Sequence, residues 1–405
     1  MPLFGAAYSA ALEPFAGVFD GRVLMAAAEQ ATGLADWGGE RWAESRFRER
    51  LDTLCRGLEE NAQLHATGRS RAHARIHILL CSRLRQVDHY RRLDQVPEIV
   101  APLIGTGMPR AGTTFLHGLL ASDPDNRSAT AAQAAIPIPV PGQDGVAEAE
   151  RIAFYDRALA FQGFLAPDVT AIHPYAAGAP EECVFLQEAA CAKPLGAFYN
   201  VPGFAALSDT GDAVADGYAW QKGVMQSFQD ASPDGRWLLK APVHIVHIGA
   251  LFTAFPDARV FLNHRDPGKV IPSVASLYMK LYSLSTDGAV DPKALGPRLI
   301  ENWSGILNRL DDWRAAHPEV RMVDVHYTDL IADPIGNARR LYEAFGLTLS
   351  DTTEQAMAAH LETDHHGKGT ARRYGLSDFG LTEDDIELAF GPYIERHEVA
   401  REVRT

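Results

Sequence analysis

The chain has 405 residues, 46% of them hydrophobic and 22% charged, with a formal net charge of -14. That length allows one large α/β domain with an appendage, or two or three smaller domains, and the apolar fraction is enough to bury a core. The acidic balance excludes a general binder of nucleic acid or anionic membrane, because either needs a basic surface.

From Met1 to Leu24 there is no basic segment ahead of the apolar residues, and Glu13 and Asp20 interrupt them. No run approaches the ~18 apolar residues of a membrane span, so a cytoplasmic protein without one is expected. Cys55, Cys81, Cys183 and Cys191 are too few and scattered for a disulfide framework or a paired-cysteine zinc site. Between Gly39 and Arg92, Phe47, Leu51, Leu54 and Leu58 form one helical stripe and Ile76, Leu79, Leu80 and Leu84 another. The arginines and histidines among them predict a solvated helix face. Val96-Pro97 closes this layer, giving a helical N-terminal extension over residues 1–97.

A strand is predicted over Ile99 to Ile104, then a glycine-rich turn, then a helix over Thr113 to Ala121 that Asp123-Pro124-Asp125-Asn126 stops. Residues 127–235 are irregular, with a Pro-rich stretch from Ile136 to Gly142 and several short helical patterns, and are expected to form a cap. Further strands are predicted at Arg236 to Lys240, Arg259 to His264 and Val320 to Val325. Helices are expected over His244 to Phe255, Gly268 to Tyr282 and Asn337 to Phe345. Strands alternating with helices predict an α/β fold with a parallel central sheet covered on both faces. Residues 98–405 would form that domain.

Gly107-Met108-Pro109-Arg110-Ala111-Gly112-Thr113-Thr114 lies between strand and helix. Glycines there let backbone N–H groups approach phosphate oxygens, and the new helix turns its positive end to the anion. A Walker A loop would place Lys where Thr113 stands, which disfavours an ATP-dependent kinase or hydrolase. The loop's only cation is Arg110. A second element follows a strand about 150 residues later: His264-Arg265-Asp266-Pro267-Gly268-Lys269-Val270-Ile271-Pro272-Ser273. Arg265 stands at the strand end and Ser273 eight residues later on the next helix.

Pro109-Arg110-Ala111-Gly112-Thr113-Thr114 resembles the 5'-phosphosulfate loop of the sulfotransferases that use 3'-phosphoadenosine 5'-phosphosulfate (PAPS). The Arg265/Ser273 element resembles the family's 3'-phosphate site. The likeness runs over about residues 98–385 and implies a P-loop-like sulfotransferase fold, with PAPS as sulfuryl donor and a small-molecule hydroxyl as acceptor. It implies that Arg110, Ala111, Gly112, Thr113 and Thr114 hold the sulfated 5'-phosphate and that Phe115 packs on the adenine. His326-Tyr327-Thr328-Asp329-Leu330 is similar to a segment whose tyrosine lies near the adenine, which implicates Tyr327. The run from His366 to Tyr374 resembles a basic loop closing on the 3'-phosphate, which implicates Lys368, Arg372 and Arg373.

Sulfuryl transfer, like phosphoryl transfer, asks mainly for positioned cations and amides, with a smaller factor from a general base. Lys240, at a strand end, matches a family lysine that reaches the sulfuryl group. Some members place a histidine two residues further on, where this chain has Pro242; His244 is the nearest imidazole, and His117 lies on the loop helix one turn past Thr113. Other branches use a Glu about twenty residues past the loop, where this chain reads Ala131-Ala132-Gln133-Ala134. Glu181 and Glu182 are the remaining candidates for the base. His244-x-x-His247 and His365-His366 have no evident carboxylate or cysteine to complete a site, and no metal is expected. A catalytically degenerate binder of the same nucleotide is the non-enzymatic alternative. The cap's Ala, Pro, Phe and Tyr with few cations favour an apolar or uncharged acceptor. The sequence leaves oligomeric state open.

Overall fold

The protein's structure, a computed structural model, describes residues 16–138, 145–165, 176–288, 290–363 and 374–402. The chain groups into two compact units. One comprises Met1–Ile99, Ala129–Asp234 and Lys280–Ala289; the other comprises Val100–Ser128, Gly235–Met279 and Val290–Thr405. This grouping differs from a division at residue 97: the N-terminal helices fall together with the 129–234 segment.

The first unit is helical, and its longer helices are Gly21–Thr32, Glu44–Glu60, Ala66–Arg91, Gly145–Leu165 and Gly211–Ala231. The Asp20 carboxylate accepts from the amides of Arg22 and Val23 at the start of the first, and Gly33, at φ 70, ends it. Both predicted apolar stripes are buried. The expectation of a solvated basic face is corrected at Arg50, His77 and Arg83. Arg50 is 2% exposed and Arg83 fully buried. Arg83 lies 3.9 Å from the ring centre of Phe47 and 4.6 Å from that of Trp220, and it donates to the carbonyls of Trp37, Trp42 and Ala189. Burial pulls its pKa down to about 9. Flat, weakly hydrated guanidinium faces stack on aromatic rings while their edges satisfy carbonyls, so periodicity alone misplaces them.

The second unit is built on five parallel strands: β1 Leu103–Gly107, β2 Asn126–Arg127, β3 Arg236–Lys240, β4 Arg259–His264 and β5 Met322–His326, in the order β2-β3-β1-β4-β5. β3 and β4 have the bounds expected from sequence. β1 starts later, because Pro102 has no N–H to give the ladder and Ala101 sits at φ 41, outside the extended region. β2 has two residues, too few to show alternation. Leu103, Leu238, Phe261 and Val325 of the strands form a core with Leu116, Leu119 and Leu120 of the helix Thr113–Ala121 and Leu341 and Tyr342 of the helix Pro334–Ala344.

Parallel strands end on one edge, and ligands of such sheets bind beyond the carboxyl ends. The register pairs Gly105 with Lys240, Gly107 with Asn263 and His264 with His326. The glycine loop, Lys240, Arg265 and Tyr327 therefore emerge along the same edge of the sheet.

Asp123, 2% exposed, closes the far end of the loop helix. Its carboxylate accepts from the Tyr342 hydroxyl, from Thr353 Oγ1 at 3.1 Å and from the Asp125 amide at 3.0 Å. Tyr342→Phe should therefore destabilise the protein by about 1–3 kcal/mol, the cost of removing one donor from a buried acceptor. A urea midpoint unchanged from wild type would show that the hydroxyl is not needed there.

Candidate functional site

The glycine loop holds its shape through backbone conformations that side chains resist. Gly107 sits at φ 147, and a Cβ there would stand 2.6 Å from the Asn263 carbonyl oxygen. Gly112 sits at φ 85, where a Cβ would stand 2.8 Å from Cδ2 of the Tyr327 ring. Arg110 takes a left-handed φ of 67 without being glycine, a strain of roughly 1–2 kcal/mol. Asn263 braces the loop by donating from Nδ2 to the Ala111 carbonyl at 3.4 Å. The helix Thr113–Ala121 follows directly, so the amides of its first turn, where no helical carbonyl can reach, face the loop.

The two motifs of the sequence meet here. Arg110 Nε donates to Ser273 Oγ at 3.1 Å, and an Nη of Arg265 donates to the Arg110 carbonyl at 2.8 Å. The Arg265 guanidinium lies over the Tyr327 ring, 3.8 Å from its centre. Crowding by surrounding protein, and then the adjacent positive charge of Arg265, lower the pKa of Arg110, although its side chain still reaches solvent. Two guanidinia set this close beside the glycine loop and the start of a helix make a site that favours an anion. That fits the nucleotide phosphates implied by the sequence motifs.

Lys240 is 1% exposed and donates from Nζ to Thr114 Oγ1 at 3.2 Å. Its ammonium, carried by β3, thus lies beside the first turn of the loop helix. His117 and His244 are both buried to 1% or less. Burial, and then the Lys240 charge, bring each imidazole to a pKa of about 3. His117 Nε2 lies 3.1 Å from Ser128 Oγ, whose own hydrogen goes to the Leu238 carbonyl at 2.8 Å. Nε2 therefore carries the hydrogen and donates it to Ser128.

Phe115 is partly buried and packs against the core around Leu103 and Leu116. Gln133 Oε1 accepts from the Thr130 amide at 3.1 Å while Thr130 Oγ1 accepts from the Gln133 amide at 3.2 Å, a reciprocal cap on the helix Ala131–Ala135. Lys368, Arg372 and Arg373, with His365-His366, lie outside the described residues. Sequence reasoning did not single out Asn263 or Glu402. It also quoted His264 only as a neighbour of Arg265. His264 has both ring nitrogens committed, to the Tyr393 hydroxyl at 2.7 Å and to Asp324 at 2.9 Å, and so fixes the end of β4. With His397 these groups come within 4.8 Å of one another, a spacing that metal ligands also show. Here Asp324 is already forked by Arg314, and His397 Nε2 meets Asp311.

The first unit encloses a cavity of about 790 Å³. Ile78, Ile136, Phe154, Leu159, Phe185, Phe198 and Leu284 line it, with Arg71, Arg75, Tyr155, Tyr199, Glu181 and Glu188 as polar groups. Arg75 pairs with Glu188 and donates to the Ala135 carbonyl at 2.7 Å, so the most buried cation is neutralised within the wall. Glu182 does not line the cavity. Among the described residues no helix is long and apolar enough to cross a membrane.

Residues 102–351 match the sulfotransferase family, and the chain belongs to that family. Over 112 residues it is 34% identical to an omega-hydroxy-beta-dihydromenaquinone-9 sulfotransferase, Stf3, of Mycobacterium bovis and equally to that of Mycobacterium tuberculosis. That match spans 27% of this chain and 28% of each relative's length. Two crystal structures are similar over nearly the whole chain. Sulfotransferase STF9 from Mycobacterium avium gives a TM-score of 0.82 at 27% identity, covering 97% of this chain and all of that one. Sulfotransferase STF1 from Mycobacterium tuberculosis H37Rv gives 0.78 at 28% identity, covering 93% and 99%.

The buried imidazoles make stability depend on pH. Unfolded histidine binds a proton near pH 6.5, whereas the folded groups resist protonation down to about 3. Between those values the unfolded chain holds more protons, so stability falls as pH falls, by at most about 1.4 kcal/mol per pH unit for each group. His117→Gln, which can still donate to Ser128, should flatten the loss measured by urea unfolding between pH 6.5 and 4.5. An unchanged slope would mean that His117 is not held neutral.

Proposed function

We propose that this protein transfers a sulfuryl group from PAPS to the hydroxyl of a small, apolar or uncharged acceptor. The observation that carries the reading is the joining of Arg110, Arg265 and Ser273 beside the same glycine loop whose helix presents Thr114 to Lys240. One anion site would serve a single phosphate; two on one loop suit a nucleotide phosphorylated at both ends. In this reading the loop amides, Arg110, Ala111, Gly112, Thr113 and Thr114 hold the sulfated 5'-phosphate. Arg265 and Ser273 hold the 3'-phosphate, joined by Lys368, Arg372 and Arg373. Tyr327, stacked on Arg265, takes the adenine side. Phe115, next to Thr114, is assigned to pack on the adenine.

PAPS supplies the activated sulfuryl group; the protein supplies charge and position. Lys240, buried and hydrogen-bonded to the loop helix, opposes the negative charge that grows on the leaving phosphate oxygen. In a poorly hydrated site a fixed ammonium is worth far more than in water. His244 is assigned the proton of the acceptor hydroxyl, ahead of His117, whose Nε2 is committed to Ser128. A pKa near 3 keeps His244 in the unprotonated form a base needs but makes it a weak base, so the cations carry most of the rate.

The cavity of the first unit is assigned to the acceptor. Its volume lies inside the roughly 300–1,000 Å³ of small-molecule sites, and its mainly apolar walls favour an apolar body. The relatives named for a hydroxylated dihydromenaquinone are consistent with an acceptor of that character. A kinase or hydrolase reading is weakened by Thr113 at the Walker lysine position.

Thermal stabilisation by 3',5'-adenosine diphosphate, and not by ATP with magnesium, is the expected signature of the nucleotide site. Arg265→Ala should weaken binding of 3',5'-adenosine diphosphate at least 30-fold, from the loss of charge-assisted hydrogen bonds worth about 2–3 kcal/mol. Affinity within a few-fold of wild type would overturn the assignment of Arg265. His244→Gln should lower turnover of labelled PAPS with a panel of alcohols and phenols by about tenfold, with nucleotide affinity intact. A protein that binds 3',5'-adenosine diphosphate yet sulfates none of the panel would be a degenerate binder.

A further inference from the structure

Every nitrogen of the Arg265 guanidinium is engaged. Nε and one Nη donate to the two carboxylate oxygens of Glu402 at 2.7 and 3.0 Å, and the other Nη takes the Arg110 carbonyl. Two parallel N–H donors on two oxygens is also the geometry by which a guanidinium grips a phosphate. Glu402 arrives there by a built path. After the helix Glu383–Arg396, Glu398 turns the chain at φ 51, and Val399 is buried, its amide on the Ile394 carbonyl. Arg401 pairs with Asp266 and Glu387. The Glu402 amide donates to Asp266 Oδ2 at 3.0 Å, one residue past the arginine its carboxylate holds.

We propose that Glu402 is a stand-in for the 3'-phosphate, which holds the Arg265 fork until a 3'-phosphorylated nucleotide displaces it, and so sets selectivity for that phosphate. This rests on the assignment of Arg265 to the 3'-phosphate made above. A carboxylate and a phosphate cannot share one pair of donors without bringing two anions together. A nucleotide with only a 5'-phosphate leaves the Arg265–Glu402 pair standing and gains nothing from the fork. A nucleotide with a 3'-phosphate carries more charge and more acceptor oxygens, so it wins the exchange. The displaced carboxylate, already 20% exposed, has a short way to water. The path beyond Glu398 is thus a competitor tethered beside its own target.

The test is calorimetric titration of wild type, Glu402→Gln and Arg265→Ala with 3',5'-adenosine diphosphate and with 5'-AMP, together with hydrogen exchange of the 397–402 segment. Glu402→Gln should bind 3',5'-adenosine diphosphate roughly three- to tenfold tighter, the size of a well-formed surface ion pair lost from the unliganded side, and 5'-AMP unchanged. In wild type, 3',5'-adenosine diphosphate but not 5'-AMP should speed exchange in that segment. Equal or weaker binding by Glu402→Gln, or a gain shared by both nucleotides, would overturn the proposal. If Arg265→Ala binds 3',5'-adenosine diphosphate like wild type, the assignment of Arg265 has failed and the proposal falls with it. If Arg265→Ala loses binding while Glu402→Gln is unchanged, only the role of Glu402 is lost.

Discussion

The hydrogen bond from the Arg265 guanidinium to the carbonyl of Arg110 ties together two segments 155 residues apart, and much of the site follows from it. It requires β1 and β4 to be neighbours, with Gly107 opposite Asn263. It also requires Gly107 to be glycine, because the strands pass too closely there for a Cβ. Tyr327 leaves β5 and fills the space between the motifs, its ring stacked on one guanidinium and pressed against Gly112. The loop is therefore held by the ends of two other strands, and its strained Arg110 persists because those neighbours fix it.

The residues assigned to the anion site were legible because the assignment is tied to short spacings. Gly107, Gly112, Arg110, Arg265 and Ser273 stand where strand-turn-helix patterns placed them, and β3 and β4 keep their expected bounds. What escaped was set by contacts distant in sequence. Arg50 and Arg83 look like surface residues on a helix wheel, yet aromatic faces and main-chain carbonyls from elsewhere in the unit hold them inside. Nothing local marks Glu402, because its partner lies 137 residues away.

Burial also decides the chemistry of the titrating groups. Lys240, His117 and His244 lie in one poorly hydrated neighbourhood, where a single positive charge depresses both imidazoles. Water is scarce there, so the lysine needs no second cation to dominate the local field. The same scarcity keeps the histidines from storing a proton. The arrangement favours stabilising negative charge over moving protons.

Gln133 can be seen in the same light. Its side-chain oxygen closes the first turn of a short helix, and a carboxylate oxygen of equal reach would close it as well. Helix capping therefore places no constraint on whether this position carries a charge. A single exchange of amide for acid could appear or vanish over generations without disturbing the scaffold.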